Sequence, residues 1–204
     1  IKLNDKAKIK KISFLGEKIY KDRKLRNIII SEEYKFWKII SGKKYLNENL
    51  INFDKRLLRN FYLNKGYYDV RINSSFAKLI DDDGFELVFN IDANNKFYFG
   101  NLSLNIPTDF DNNNFNSLNK VFEKLKNKPY SINSVENIID EIDKIAISEQ
   151  YEAIQASVKE DIVDNKINLN FIIEETDKFL VEKINIFGNN ITRESVIRNQ
   201  FYID

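Results

Sequence analysis

The 204 residues predict an α+β fold of tandem β-α-α-β-β repeats, each a three-stranded mixed sheet packed against two helices. Three observations lead there: the chain repeats itself, its apolar residues alternate in short runs that stop at turn residues, and between those runs they recur at three-and-four spacing. The repetition appears when Ile12 is laid on Ile184. Ile9 to Gly16 then covers Val181 to Gly188, Ile19 falls on Ile191, Leu25 on Ile197, and Arg26-Asn27 on Arg198-Asn199. Laying Phe85 on Ile167 supplies a middle copy, with Leu87, Phe89 and Ile91 over Leu169, Phe171 and Ile173, and Lys96-Phe97 over Lys178-Phe179. The expected domains are 6–95, 96–177 and a truncated third copy, 178–204.

In the first copy Ile12 and Phe14 alternate with Lys11 and Ser13, a half-buried strand that stops at Gly16. Asp22 offers an N-cap carboxylate to a short helix carrying Leu25 and Ile28 or Ile29. The second helix is capped by Asn47, carries the stripe Leu50, Phe53, Leu57 and Phe61, and ends before Gly66, a left-handed C-cap. A hairpin follows: Val70, Ile72 and Phe76 on one strand, the turn Asp81-Asp82-Asp83-Gly84, then Phe85, Leu87, Phe89 and Ile91 in strict alternation.

The middle copy keeps the plan. Leu102, Leu104 and Ile106 form its first strand, Pro107 stands where the turn glycine was, and an Asn-rich stretch from Asp111 to Asn119 leads into its first helix. Asn133 with Glu136 three residues later reads as a capping-box variant ahead of the stripe Val135, Ile138, Ile142 and Ile145. The hairpin runs through Ile154, Ala156 and Val158, turns at Asp164-Asn165 and returns over Ile167 to Ile173. The joints, 92–95 and 174–177, are too short to be linkers, so the copies are expected to form a semi-rigid string.

Composition removes most catalytic chemistry. With no His and no Cys, imidazole and thiolate ligands, the Ser-His-Asp and Cys-His systems and any disulfide are excluded. No cofactor is expected, and an enzyme is not, for want of a nucleophile–base pair or a phosphate-cradling glycine loop. No run approaches the roughly 18 apolar residues of a membrane-spanning helix. A start at Ile1 rather than Met leads us to expect that the natural chain begins further upstream. The net charge of +1 hides an uneven layout: residues 1–95 carry 20 basic and 13 acidic side chains, and residues 96–177 carry 8 and 15. The sharper reading of that layout is a basic first copy facing an acidic partner or anionic headgroups, or a charge bias on the angle between copies. The plainer one is two solvated surfaces screened over about 8–10 Å.

The strand ending Phe14-Leu15-Gly16, followed by Ile19, and the stretch Arg59-Asn60-Phe61-Tyr62-Leu63-Asn64-Lys65-Gly66-Tyr67-Tyr68-Asp69-Val70 resemble polypeptide-transport-associated (POTRA) domains, which precede the membrane barrel in outer-membrane barrel-assembly proteins. The long insertion Glu32 to Tyr45 is similar to that of the third of five such domains, so the chain looks like POTRA 3, POTRA 4 and the start of POTRA 5. The middle copy departs from the pattern, with Glu149-Gln150-Tyr151 in place of the Gly-Tyr junction. The resemblance implies the periplasmic portion of a Gram-negative outer-membrane protein, acting as a scaffold. Its implied partners are unfolded outer-membrane β-barrel proteins, accessory lipoproteins of the assembly complex and the chain's own C-terminal membrane barrel. A POTRA arm of a two-partner secretion or autotransporter-assembly relative is the alternative inside the superfamily.

Strand parity points to the working surface. With the first strand up, two helices returning the chain, the second strand down and the third up, the third fits between the other two and the second becomes an edge. That edge is expected to be Tyr68, Asp69, Val70, Arg71, Ile72, Asn73, Ser74, Ser75 and Phe76, with polar side chains outward at Asp69, Arg71, Asn73 and Ser75, and in the middle copy 152–160. Its unpaired N–H and C=O groups suit capture of an extended chain by β-augmentation. Phe36 and Trp37 in the insertion either pack onto their own repeat or present a contact surface.

Other patterns fall away. Asp109 to Asn114 looks like a calcium loop, but Asn114 stands where such a loop needs Gly and Lys120 where it needs Glu. Asp81-Asp82-Asp83 reads as solvated turn chemistry. A KH-like nucleic-acid-binding protein would need a Gly-x-x-Gly clamp, which Gly16-Glu17-Lys18-Ile19 and Gly42-Lys43-Lys44-Tyr45 do not provide, so no nucleic-acid partner is expected.

Overall fold

A computed structural model describes residues 8–35, 45–78, 84–151 and 154–176. The first repeat runs β1 (Lys8–Leu15), α1 (Asp22–Arg26), α2 (Glu48–Leu63), β2 (Arg71–Lys78) and β3 (Gly84–Asp92). The second runs β4 (Tyr98–Asn105), a 3-10 turn over Asn112–Phe115, α3 (Asn116–Leu125), α4 (Ile132–Ser148), β5 (Ile154–Val163) and β6 (Lys166–Glu175). The sheet orders are β1-β3-β2 and β4-β6-β5. In each sheet the central strand is parallel to the first strand and antiparallel to the second, as strand parity requires.

Alternation along each strand decides which face is buried. Ile9, Ile12 and Phe14 of β1 lie beside Leu87, Phe89 and Ile91 of β3, all at 1% exposure or less, with Phe14 stacked on Phe89 at 5.6 Å. Leu25, Ile51, Leu58 and Tyr62 close this core from the helices. In the second repeat Phe99, Ile167, Leu169 and Phe171 meet Leu118, Phe122, Val135, Ile138 and Ile142. Each such side chain contributes about 1.5–3 kcal/mol by leaving water.

Helix α2 is rotated by one position from the stripe that spacing favoured. Its buried residues are Ile51, Asp54, Leu58, Tyr62 and Leu63, whereas Leu50, Leu57 and Phe61 are half-buried and Phe53 is 36% exposed. The cause is Asp54, which is 0% exposed and accepts the backbone N–H of Ile30 at 2.6 Å and of Ser31 at 3.2 Å. A polar residue at the centre of the buried row disguises that row in the sequence.

The caps divide in the same way. Asn47 caps α2 as expected, its side chain accepting Leu50 N–H at 3.2 Å. Asp22 does not cap α1: it is the first helical residue and pairs with Lys18 at 2.5 Å. Ser131, rather than Asn133, caps α4, and Ala146 replaces Ile145 as the last fully buried residue of its stripe. The middle copy's first strand is centred earlier than its Leu102, Leu104 and Ile106 implied, with Phe99 buried, Leu102 and Leu104 half-buried and Ile106 beyond the strand. The glycines behave as turn punctuation: Gly16 (φ 84) ends β1 so close to β3 that a Cβ there would lie 2.3 Å from the Ile91 carbonyl oxygen.

The outer edges of β1 and β4 are partly occupied by the chain itself. Tyr34 N–H donates to Ile9 O at 2.6 Å, and Tyr45 bridges to Lys8. Phe99 exchanges hydrogen bonds with the segment 127–128, and Tyr98 bridges to Pro129. Among the described residues nothing pairs with the outer edges of β2 or β5. Phe36, Trp37, the turn residues Asp81 to Asp83 and the whole of 178–204 lie outside the described residues.

Candidate functional site

The open edge of the first repeat is β2, held in place by β3 through eight antiparallel pairs from Arg71↔Asp92 to Lys78↔Phe85. Ile72, Ser74 and Phe76 stand opposite Ile91, Phe89 and Leu87 and share the helix-facing side of the sheet. Arg71, Asn73 and Ser75 face the open side and are exposed. The expected alternation therefore holds within the strand. Phe76 is 38% exposed and meets Phe85 edge-on at 6.1 Å, so the edge ends in an accessible aromatic ring. Beside β2 runs a groove of about 610 Å³, lined by Asn49, Asn52, Lys55, Arg56 and Arg59 of α2 and by Ile72. Ser74 is half-buried on that face, where its short side chain adds little bulk.

The first three residues expected in the edge lie before β2: Val70 belongs to the first repeat's own core, and Asp69 and Tyr68 belong to the joint with the second repeat. Val70 is 1% exposed and its carbonyl accepts Arg59 Nη1 at 3.2 Å, while the Asp69 carbonyl accepts Asn94 Nδ2 at 2.9 Å. Tyr68 turns toward the second repeat, packing perpendicular to Tyr130 at 5.1 Å and against Phe97 at 5.8 Å, and its hydroxyl donates to Glu160 Oε2 on β5. Of the second edge, expected over 152–160, residues 152–153 lie outside the described residues, and β5 spans Ile154–Val163, ending later than expected. There Glu160 is tied to Tyr68, and Ile162 and Val163 are 46% and 53% exposed.

Around Tyr68 the joint is tightly keyed. Leu63, on the last turn of α2, belongs to the second repeat's core alongside Phe97, Phe99 and Tyr130. Gly66 O accepts Phe97 N–H at 2.7 Å, and Asn64 Oδ1 accepts both Ser131 Oγ at 2.8 Å and Asn133 N–H at 2.9 Å. Asn133 Oδ1 in turn accepts Asn64 Nδ2 at 2.8 Å, which is why Asn133 is not spent on capping its own helix.

Burial, then the hydrogen bond to Glu160, pushes the Tyr68 phenol up to about 12. In an opened joint the phenol ionises near its ordinary value of about 10. The raised value therefore stabilises the joint fully below about pH 10, and that stabilisation is lost as pH rises toward about 12. Burial also holds Tyr20, Tyr62 and Tyr130 above their ordinary value, so phenolate absorbance should show one late-titrating tyrosine fewer in Tyr68→Phe than in the intact chain. A late phase of unchanged amplitude in Tyr68→Phe would contradict it.

Residues 7–94 match the POTRA family model, described as a surface antigen variable number repeat. Over 198 residues the chain is 27% identical to outer membrane protein assembly factor BamA of Neorickettsia risticii (strain Illinois), covering 96% of this chain and 26% of that protein. It is 24% identical over 200 residues to the BamA of Buchnera aphidicola subsp. Acyrthosiphon pisum (strain APS), covering 95% and 31%. The chain thus spans less than a third of the length of these relatives. In fold it is similar to the crystal structure of Haemophilus influenzae BamA POTRA3-5, with a TM-score of 0.73, 12% identity and coverage of 97% of this chain and 78% of that one. BamA from Haemophilus ducreyi lacking POTRA domains 1-3 gives a TM-score of 0.56 at 12% identity, over 83% of this chain and 29% of that one.

Proposed function

From a chain that resembles the POTRA repeats of BamA over most of its length, we propose a periplasmic POTRA 3 to POTRA 5 segment of an outer-membrane barrel-assembly protein. It works as a non-enzymatic scaffold with domains at 6–95, 96–177 and 178–204. The segment captures unfolded outer-membrane β-barrel proteins by β-augmentation, docks accessory lipoproteins and holds both near its own membrane barrel. The observation that carries this reading is the sheet order β1-β3-β2, which leaves β2 open while the chain's own segments occupy part of the β1 edge. An outer-membrane strand presents alternating side chains and unsatisfied backbone groups, and such an edge supplies complementary N–H and C=O groups at matching spacing.

In an antiparallel pair, neighbouring residues direct their N–H groups to opposite sides of the strand. Of Asn73→Pro and Ser74→Pro, one therefore deletes an inward ladder bond and the other an outward one. The variant that keeps its fold should bind a strand-patterned peptide at least about tenfold more weakly, a loss of roughly 1.4 kcal/mol for one outward donor. Amide shifts in the parent should run along Arg71–Lys78. Undiminished binding by the folded variant, or shifts confined to Lys-rich loops, would show that this edge is idle.

A further inference from the structure

The groove beside β2 is not electrically neutral. Of its six lining residues, Lys55, Arg56 and Arg59 are cations, Asn49 and Asn52 are amides, and none is an acid. Among the described residues these three cations make no ion pair. Arg56 rests over the Phe53 ring at 5.3 Å, and Arg59 donates to Val70 O. The one acid in the middle of α2, Asp54, is on the buried face, already holding the Ile30 and Ser31 amides. The helix thus presents to the groove a row that begins with amides and ends with positive charge.

An added strand on β2 would turn every second side chain toward that row, because side chains alternate across a sheet. From Asn52 to Arg59 the helix rises about 10 Å, while alternate residues of a strand are about 7 Å apart. Two helix-facing side chains of a bound strand therefore fall within reach of Lys55, Arg56 and Arg59. We propose that the groove selects, among extended chains that pair with β2, those carrying carboxylates at two alternate, helix-facing positions. This rests on β2 being the capture edge and adds a side-chain preference to it. The excess of basic over acidic residues in 1–95 favours the same partner, and the acidic excess in 96–177 provides no equivalent.

The test uses the whole chain and three end-capped peptides with the same alternating pattern, differing only in whether the two helix-facing positions are Glu, Gln or Lys. The Glu peptide should bind about fivefold to tenfold more tightly than the Gln peptide at low salt and the Lys peptide more weakly still, with the preference shrinking as salt rises. All three should shift amides along Arg71–Lys78. A Lys55→Gln/Arg56→Gln variant, altering two side chains that are not buried, should remove the preference while retaining those shifts. Equal binding of the three peptides along β2 would overturn the charge selection and leave the edge reading standing. A Glu peptide that shifts only the basic surface around α1 would overturn both.

Discussion

Asp54→Ala should lower the melting temperature of the first repeat by about 10–20 °C. The carboxylate is fully buried and is the acceptor for two consecutive backbone amides, Ile30 and Ser31, the second of which sits in a residue only 3% exposed. Truncation leaves the buried Ser31 donor with nothing to bond, at about 1–3 kcal/mol, and the half-buried Ile30 donor without its protein partner, at a smaller cost that water offsets in part. A unit of this size loses about 4–8 °C per kcal/mol. Asp54→Asn keeps one acceptor oxygen and should lose less. Calorimetry reads the total, and hydrogen exchange at Ile30 and Ser31 should accelerate ahead of the rest of the repeat. A fall of under about 3 °C would mean that water can reach and satisfy those amides, and the buried carboxylate would then have no structural role.

The second large effect is expected at the joint. Gly66 sits at φ 93, where a Cβ would lie 2.9 Å from the Phe97 carbonyl oxygen and 3.0 Å from Lys96 Cγ, so Gly66→Val meets both an unfavourable backbone conformation and a backbone clash. Leu63→Ala empties a pocket in the second repeat's core from the first repeat's side. Either change should cost about 2–4 kcal/mol. Because the loss falls on inter-repeat contacts, nitrogen-15 relaxation should resolve two rotational correlation times where the parent shows one. A single correlation time in both variants would show that the polar keys Asn64, Ser131 and Asn133 hold the repeats together alone.

Most of the architecture could be read before any coordinates, because period-two alternation and strand parity decide sheet order in so short a unit. Arg71, Asn73 and Ser75 lie on the exposed side, as the alternation of the strand expects. What escaped was polar. Asp54 hid the buried row of α2, since an acid inside a stripe looks like a break in it. Tyr68 was assigned to the edge because an aromatic next to a strand reads as its first residue, yet its partners Tyr130 and Glu160 lie far along the chain. Asn133 looked like a cap for the same reason: its real partner, Asn64, is in the other repeat. Contacts between repeats leave no periodicity, so no local pattern marks them. The basic groove was half legible, as a charge excess with no location until α2 was seen to lie along β2.

Leu63 has a counterpart one repeat later. The closing bonds of the two long helices match, Gly66 N–H to Leu63 O in one and Gln150 N–H to Ile147 O in the other, followed by Tyr67 to Tyr62 and Tyr151 to Ala146. Gln150 even adopts φ 60 without being glycine. This register puts Ile147 where Leu63 stands, but Ile147 is 78% exposed, against 8% for Leu63. Of the two, Leu63 is the one seated in its successor's core; the segment that follows Ile147's repeat lies outside the described residues. A graft of the second repeat should therefore begin at Leu63, out of phase with the sheets, because a cut at the sheet boundary leaves its core with one unfilled hole.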